Sequence, residues 1–129
     1  MADNNQLADG NDGDIFVYTG GRAPRDVKRA KIDESVDTIP RGAFVNCEQL
    51  IEVEGHDKIK KIEMSAFTNC TSLRWLRKMN GVTEIGAWAF MDCHALSDLE
   101  FGKLQIIGGG AFFKCTSSLR SINLLSVRK

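Results

Sequence analysis

Net charge is the first thing this chain of 129 residues lacks, because seventeen Lys and Arg offset seventeen Asp and Glu. No bulk field draws it to nucleic acid or to an anionic membrane, so neither is expected as a partner. It also lacks any run near the roughly 18 to 20 apolar residues of a membrane span. Its first residues have neither the basic start nor the apolar stretch of a secretion leader. The expectation is a soluble protein of the cytoplasm. Histidine is scarce, with only His56 and His94. Neither has a companion at metal-ligand or triad spacing, so both read as surface residues and no catalytic group assembles.

The small asymmetry in charge lies at the start. Residues 1 to 14, MADNNQLADGNDGD, hold four Asp and no Lys or Arg, leaving a surplus of four positive charges on the rest. This composition predicts a disordered acidic tail. Asp9, Asn11 and Gly13 offer oxygen ligands in passing, but the third ligand and closing Glu of a calcium loop are missing. GGRAP at 20 to 24 has no following Lys-Ser/Thr and reads as a turn rather than a phosphate loop.

What the sequence has in abundance is one phrase. GAFVNC, SAFTNC, WAFMDC and GAFFKC align Ala43, Ala66, Ala89 and Ala111, then Phe44, Phe67, Phe90 and Phe112, then Cys47, Cys70, Cys93 and Cys115. The alignment continues before the phrase through Ile39, Ile62, Ile85 and Ile107, and after it through Leu50, Leu73, Leu96 and Leu119. Three residues further come Val53, Leu76, Leu99 and Ile122. A period of 22 to 23 residues marks a solenoid, since so short a unit must stack on copies of itself to bury its apolar positions. The Leu-x-x-apolar-x-apolar part predicts short strands paired in a parallel sheet about 4.8 Å apart. The Ala-Phe-x-x-Cys part predicts a short helical turn on the opposite side. Three irregularities stand out. The third unit is one residue short before Ile107, an extra Ser precedes Leu119, and Gly55 and Lys78 occupy a position that is apolar in Ile32, Phe101 and Leu124.

With these residues in register, the chain resembles the BspA-like class of leucine-rich repeats, and IGAWAFMDCHALSDLEF at 85 to 101 matches that pattern almost position by position. The resemblance covers about four fifths of the chain. It implies the binding of other proteins and implies neither catalysis nor a cofactor. The expected organisation is a disordered tail at 1–14, an N-terminal cap at 15–26 containing Ile15, Phe16, Val17 and Tyr18, and a repeat domain at 27–129. The fold class is α/β, a right-handed leucine-rich-repeat solenoid of short parallel strands and short helical turns with four full repeats.

One cysteine falls on each rung, so the first and fourth would lie about 14 Å apart, too far for one tetrahedral zinc site to use all four. Small buried reduced thiols are expected. Asn69-Cys70-Thr71 satisfies the glycosylation pattern, but with no leader and a buried Cys it should go unused.

The exposed strand positions two and four residues after each Leu carry alternating charge: Arg29 and Lys31, Glu52 and Glu54, Trp75 and Arg77, Asp98 and Glu100, Ser121 and Asn123. Lys31, Glu54, Arg77 and Glu100 form one expected column of opposite charges, which fixes register and argues against a polyanionic ligand. Trp75, aromatic amid charges, is the expected anchor for a protein partner, unless it merely lies across the stems of its neighbours. Lys31, Glu54, Trp75, Arg77, Asp98 and Glu100 are the candidate binding residues. A second candidate is the column Val45, Thr68, Met91 and Phe113, with Trp88 and Met64 beside it, which is a contact surface if exposed and otherwise a set of buried wall residues. The chain stops straight after the last strand, so Ile122, Leu124 and Leu125 are expected to form an uncapped apolar edge for contact with another copy or an assembly. The leading expectation is a non-catalytic protein-interaction module. The alternative is a structural subunit that self-associates through that edge.

Overall fold

Short strands with a buried apolar residue between polar or exposed ones recur every turn of a coil and pair with their counterparts one rung away, as the computed structural model shows. It describes residues 15–99 and 101–115. The tail at 1–14, Glu100, and Ile122, Leu124 and Leu125 lie outside the described residues. The strands are β1 (Ile15–Tyr18), β2 (Arg29–Ile32), β3 (Thr38–Ile39), β4 (Glu52–Glu54), β5 (Lys61–Ile62), β6 (Trp75–Arg77), β7 (Glu84–Ile85), β8 (Asp98–Leu99) and β9 (Ile106–Ile107).

They form two parallel sheets, one in the order β1-β2-β4-β6-β8 and one in the order β3-β5-β7-β9. The register follows the repeat residue by residue. Ala30 pairs with Val53, Val53 with Leu76 and Leu76 with Leu99, while Ile39, Ile62, Ile85 and Ile107 pair in turn in the second sheet. A slip of one residue would turn these apolar positions outward, so burial enforces the register.

Between the sheets and the turns runs a column of rings. Phe44, Phe67 and Phe90 are fully buried. Phe67 stacks on Phe44 at 5.1 Å and on Phe90 at 5.2 Å, nearly parallel in both cases, and Phe112 adds to Phe90 at 5.4 Å. Tyr18 extends the column at the N-terminal end, tilted 5.0 Å from Phe44, with its hydroxyl donating to Gly21 O at 2.6 Å. Burial alone raises the Tyr18 pKa.

The expected helical turns are not found, since the described residues contain strands and turns and no helix. The cause is local. Gly42, Ser65, Trp88 and Gly110, just before each Ala-Phe, have φ of 67, 59, 61 and 67°. Asn46, Asn69, Asp92 and Lys114, just before each Cys, have φ of 62, 65, 64 and 62°. Two left-handed residues four positions apart break any right-handed helix. They also redirect the backbone, so that N–H groups alternate between their own turn and the next rung. Val45, Thr68 and Met91 donate within the turn, to Gly42, Ser65 and Trp88 carbonyls at 3.2, 3.2 and 3.1 Å. Phe44, Phe67 and Phe90 donate to the alanine carbonyls of the following rung, each at 2.7 Å. The convex side is thereby a third ladder, and Asn69 Nδ2 reinforces it by donating to Asn46 Oδ1 at 2.9 Å.

The cysteines close the gap left by this arrangement. Cys70, Cys93 and Cys115 donate their thiols to the carbonyls of Phe44, Phe67 and Phe90 on the preceding rung, at 3.1, 3.1 and 3.0 Å. All four are free, and Cys47, Cys70 and Cys93 are buried. Burial pushes the Cys47 thiol up to about 11 and raises Cys70 further. Cys93 is raised by its hydrogen bond with Cys115 and by burial. Neutral thiols are what an apolar wall with one carbonyl per rung can hold.

Candidate protein-interaction surface

The five-stranded sheet alternates core residues with a second set of residues that share the opposite face. In register across it run Ile15, Arg29, Glu52, Trp75 and Asp98, and beside them Val17, Lys31, Glu54 and Arg77. Lys31, Glu54 and Arg77 thus lie on adjacent strands at equivalent places. Their ion pairing differs from the straight column that the sequence suggests.

The electrostatic centre is Glu52. The residue is only 7% exposed; its carboxylate accepts from Arg77 Nη1 at 2.7 Å and lies 3.6 Å from Arg29 Nε on the other side. Arg77 therefore reaches diagonally to Glu52 rather than across to Glu54. Glu54 is taken instead by Lys78 Nζ at 2.9 Å. Two cations around one buried carboxylate offset its desolvation, and the clasp ties three strands together.

Lys78 reaches Glu54 because it is left-handed, with φ of 61°. That turn swings it out of the position filled by apolar Ile32 and Phe101, and Met79, 1% exposed, moves into the core in its place. Gly55 makes the room, since a Cβ there would lie 2.8 Å from Met79 Cε and Sδ. The two departures noted at Gly55 and Lys78 are one accommodation, which also supplies a charge to the concave rim.

Trp75 projects from β6 and remains 37% exposed. Its ring is covered from one side by the Arg74 guanidinium, 5.0 Å from the ring centroid, which stiffens it while leaving an aromatic surface open. Asp98 is paired with Trp75 through the backbone of β8, and Glu100 lies outside the described residues. Sequence reasoning placed Glu52 on this face without recognising it as the hub, and it missed Arg74 and Lys78. The signal for Lys78 was its charge at an apolar repeat position.

Beyond the strand ends a shallow cleft of about 520 Å³ is lined by Lys31, Glu54, Gly55, His56, Lys58 and Lys78 among others. His56 Nε2 donates to Asp33 O at 3.0 Å and Nδ1 accepts from Lys58 N at 3.1 Å, which assigns the neutral Nε2–H tautomer. The ring staples two consecutive rungs. Asp33 is itself held low by the Ser35 hydroxyl and then the Ser35 amide. Lys58 pairs with Glu34 at 3.5 Å. These groups hold one another and fix the geometry of consecutive rungs.

On the convex side Met64, Trp88 and Phe113 are exposed, with Phe113 set edge-on to Trp88 at 6.0 Å. Val45 and Met91 are half-buried, whereas Thr68 is buried and donates to Trp88 O at 2.6 Å. The column is therefore interrupted in its middle. No helix among the described residues is long and apolar enough to cross a membrane.

Comparison with known proteins agrees with this architecture. The model of the BspA type leucine-rich-repeat region, in six copies, matches residues 24–129. No curated protein matches the chain. Among solved structures, the crystal structure of a leucine-rich-repeat protein of T. pallidum superposes with a TM-score of 0.57 at 22% identity, covering 87% of this chain and 64% of that one. That likeness shows a shared parallel-strand solenoid, of which this chain spans somewhat less than two thirds.

Proposed function

The chain belongs to the family of BspA-type leucine-rich-repeat proteins, and on that premise we propose that it is a non-catalytic module that captures another protein on its concave sheet. It does so as a right-handed coil of four full repeats. The observation that carries the reading is Trp75, an exposed ring propped by Arg74 on the fourth of the five strands, beside the paired charges Arg77–Glu52 and Lys78–Glu54. Among the described residues Glu52 and Glu54 already hold cations, so a partner gains most by desolvating the indole, as aromatic anchors do. Alternating sign across the rungs favours a protein of mixed charge over a polyanion.

The test is selection of binders from a randomised peptide or small-domain library against the immobilised chain. For concave binders, Trp75→Ala should weaken affinity by about 2 kcal/mol, roughly thirtyfold, with the thermal midpoint unchanged. Binders that compete with one another yet ignore Trp75→Ala would overturn the reading. A second reading, a subunit that assembles through Ile122, Leu124 and Leu125, draws on Ile106 and Phe113, 44% and 51% exposed near the same end. Light scattering on Leu125→Glu tests it, since such an assembly should dissolve.

A further inference from the structure

At the opposite end of the described solenoid, β1 forms the terminal strand edge. Its side-chain core is closed, because Tyr18 is fully buried beneath the arm that carries Gly21. Its outer backbone edge has no partner strand among the described residues. β1 is the terminal strand of its sheet and pairs with β2 alone among the described strands.

In a parallel pair, the N–H and C=O of a residue point to the same side and alternate along the strand. Asp33 N donates to Tyr18 O at 2.9 Å, so Tyr18 and Phe16 direct their backbone groups toward β2. Ile15 and Val17 direct theirs outward. The next rungs agree: Arg77, which shares the column of Val17, accepts from Gly55 on the preceding strand side at 2.8 Å. Val17 is 50% exposed, and Ile15 and Phe16 are half-buried. The strand IFVY has β-branched and aromatic residues and none of the charge, proline or bulge that blunts an edge.

We propose that this edge pairs with the same edge of a second copy of the chain, antiparallel about a two-fold axis at Val17. A two-fold axis at an outward-directed residue sets Val17 against Val17 as a hydrogen-bonded pair, Phe16 against Tyr18 and Ile15 against Thr19. Each pair then lies on one face of the sheet. An axis between residues would oppose Ile15 to Tyr18 and mix exposed with buried faces, which the pleat forbids. Among the described residues no charged residue meets its own copy in this register. On the described strands the nearest like charges, Lys31 of each copy, stand about 14 Å apart across three strand spacings, where salt screens them. The contact is isologous and closes at two copies. Four residues of edge bury little surface, so the dimer is weak and forms at high micromolar concentration. It joins two concave sheets into one surface, and it stands whether or not Trp75 anchors a partner.

Sedimentation of the full chain over a concentration series tests this. The mean mass should rise from one chain toward two. Val17→Lys, which places two like charges across the axis, and Val17→Pro, which removes an N–H that β2 does not use, should both hold it at one chain with an unchanged circular dichroism spectrum. Should Val17→Pro unfold, Val17→Lys and crosslinking decide. Val17→Cys should oxidise to a linked dimer, since a hydrogen-bonded pair sets the Cα atoms about 5.5 Å apart, whereas Val45→Cys should not. Trp75→Ala should leave the dimer intact. A chain that stays monomeric throughout, a dimer indifferent to Val17→Lys, or one dissolved by Leu125→Glu instead would overturn the proposal.

Discussion

Replacing Phe67 by Ala should be among the most damaging single changes available to this protein. The ring is fully buried and stacked on both sides, 5.1 Å from Phe44 and 5.2 Å from Phe90. Truncating a fully enclosed Phe costs about 3 to 5 kcal/mol through lost transfer energy and the cavity left behind. Collapse is hindered here, because the neighbouring rings are fixed by their own rungs, so the upper part of that range is expected. Phe112 provides the internal comparison. It is half-buried and stacked on Phe90 alone among the described rings, so Phe112→Ala should lose about half as much, roughly 2 kcal/mol. Urea denaturation followed by circular dichroism reads both. With a slope of about 1 to 3 kcal/mol per molar, the Phe67 variant should shift the midpoint down by about 1 to 5 M. A loss below about 1 kcal/mol at Phe67, or equal losses at the two positions, would refute the stacked column as the source of rung-to-rung stability.

Gly110→Ala should destabilise by about 2 kcal/mol or more, because the new Cβ would lie 2.2 Å from the Trp88 ring on a backbone at φ 67°. In the Trp88→Ser background only the left-handed strain remains, so the same change should then cost about 1 kcal/mol; thermal melts of the four-member cycle would show the coupling, and additive losses would deny it. The thiol column predicts a one-sided pH response. Cys47 is raised from 9 to about 11 and Cys70 is raised as well, both chiefly by burial. The folded state therefore holds these protons more tightly, so stability is fully present below pH about 9 and is lost as pH rises toward and through about 11. Melting temperature should fall over that window, and less steeply in Cys70→Ala; a flat profile to pH 11 would show that the thiols ionise without opening the wall.

The fold was legible because its information is periodic. Ala43-Phe44, Ala66-Phe67 and Ala89-Phe90 recur in step, a stacked coil translates a constant period directly into register, and Ala30, Val53, Leu76 and Leu99 accordingly share one column. The helical turns were misjudged because apolar spacing reports which residues face inward and is silent on the sign of φ. A clue stood in the sequence: Asn46, Asn69 and Asp92 precede three of the four cysteines, and Asn and Asp tolerate the left-handed region. Trp88, a bulky residue in the same conformation, hid that pattern at the other turn position.

By itself, then, the sequence determined the rung, the stack and the core columns, because burial of a repeated apolar set has one solution. Only the tertiary structure decided which charges meet on the concave sheet. Glu54 stands beside both Lys31 and Arg77 in register, yet Arg77 goes to Glu52 and Lys78 to Glu54. Long side chains choose among partners within reach by geometry and burial, and a left-handed Lys78 changed what was within reach.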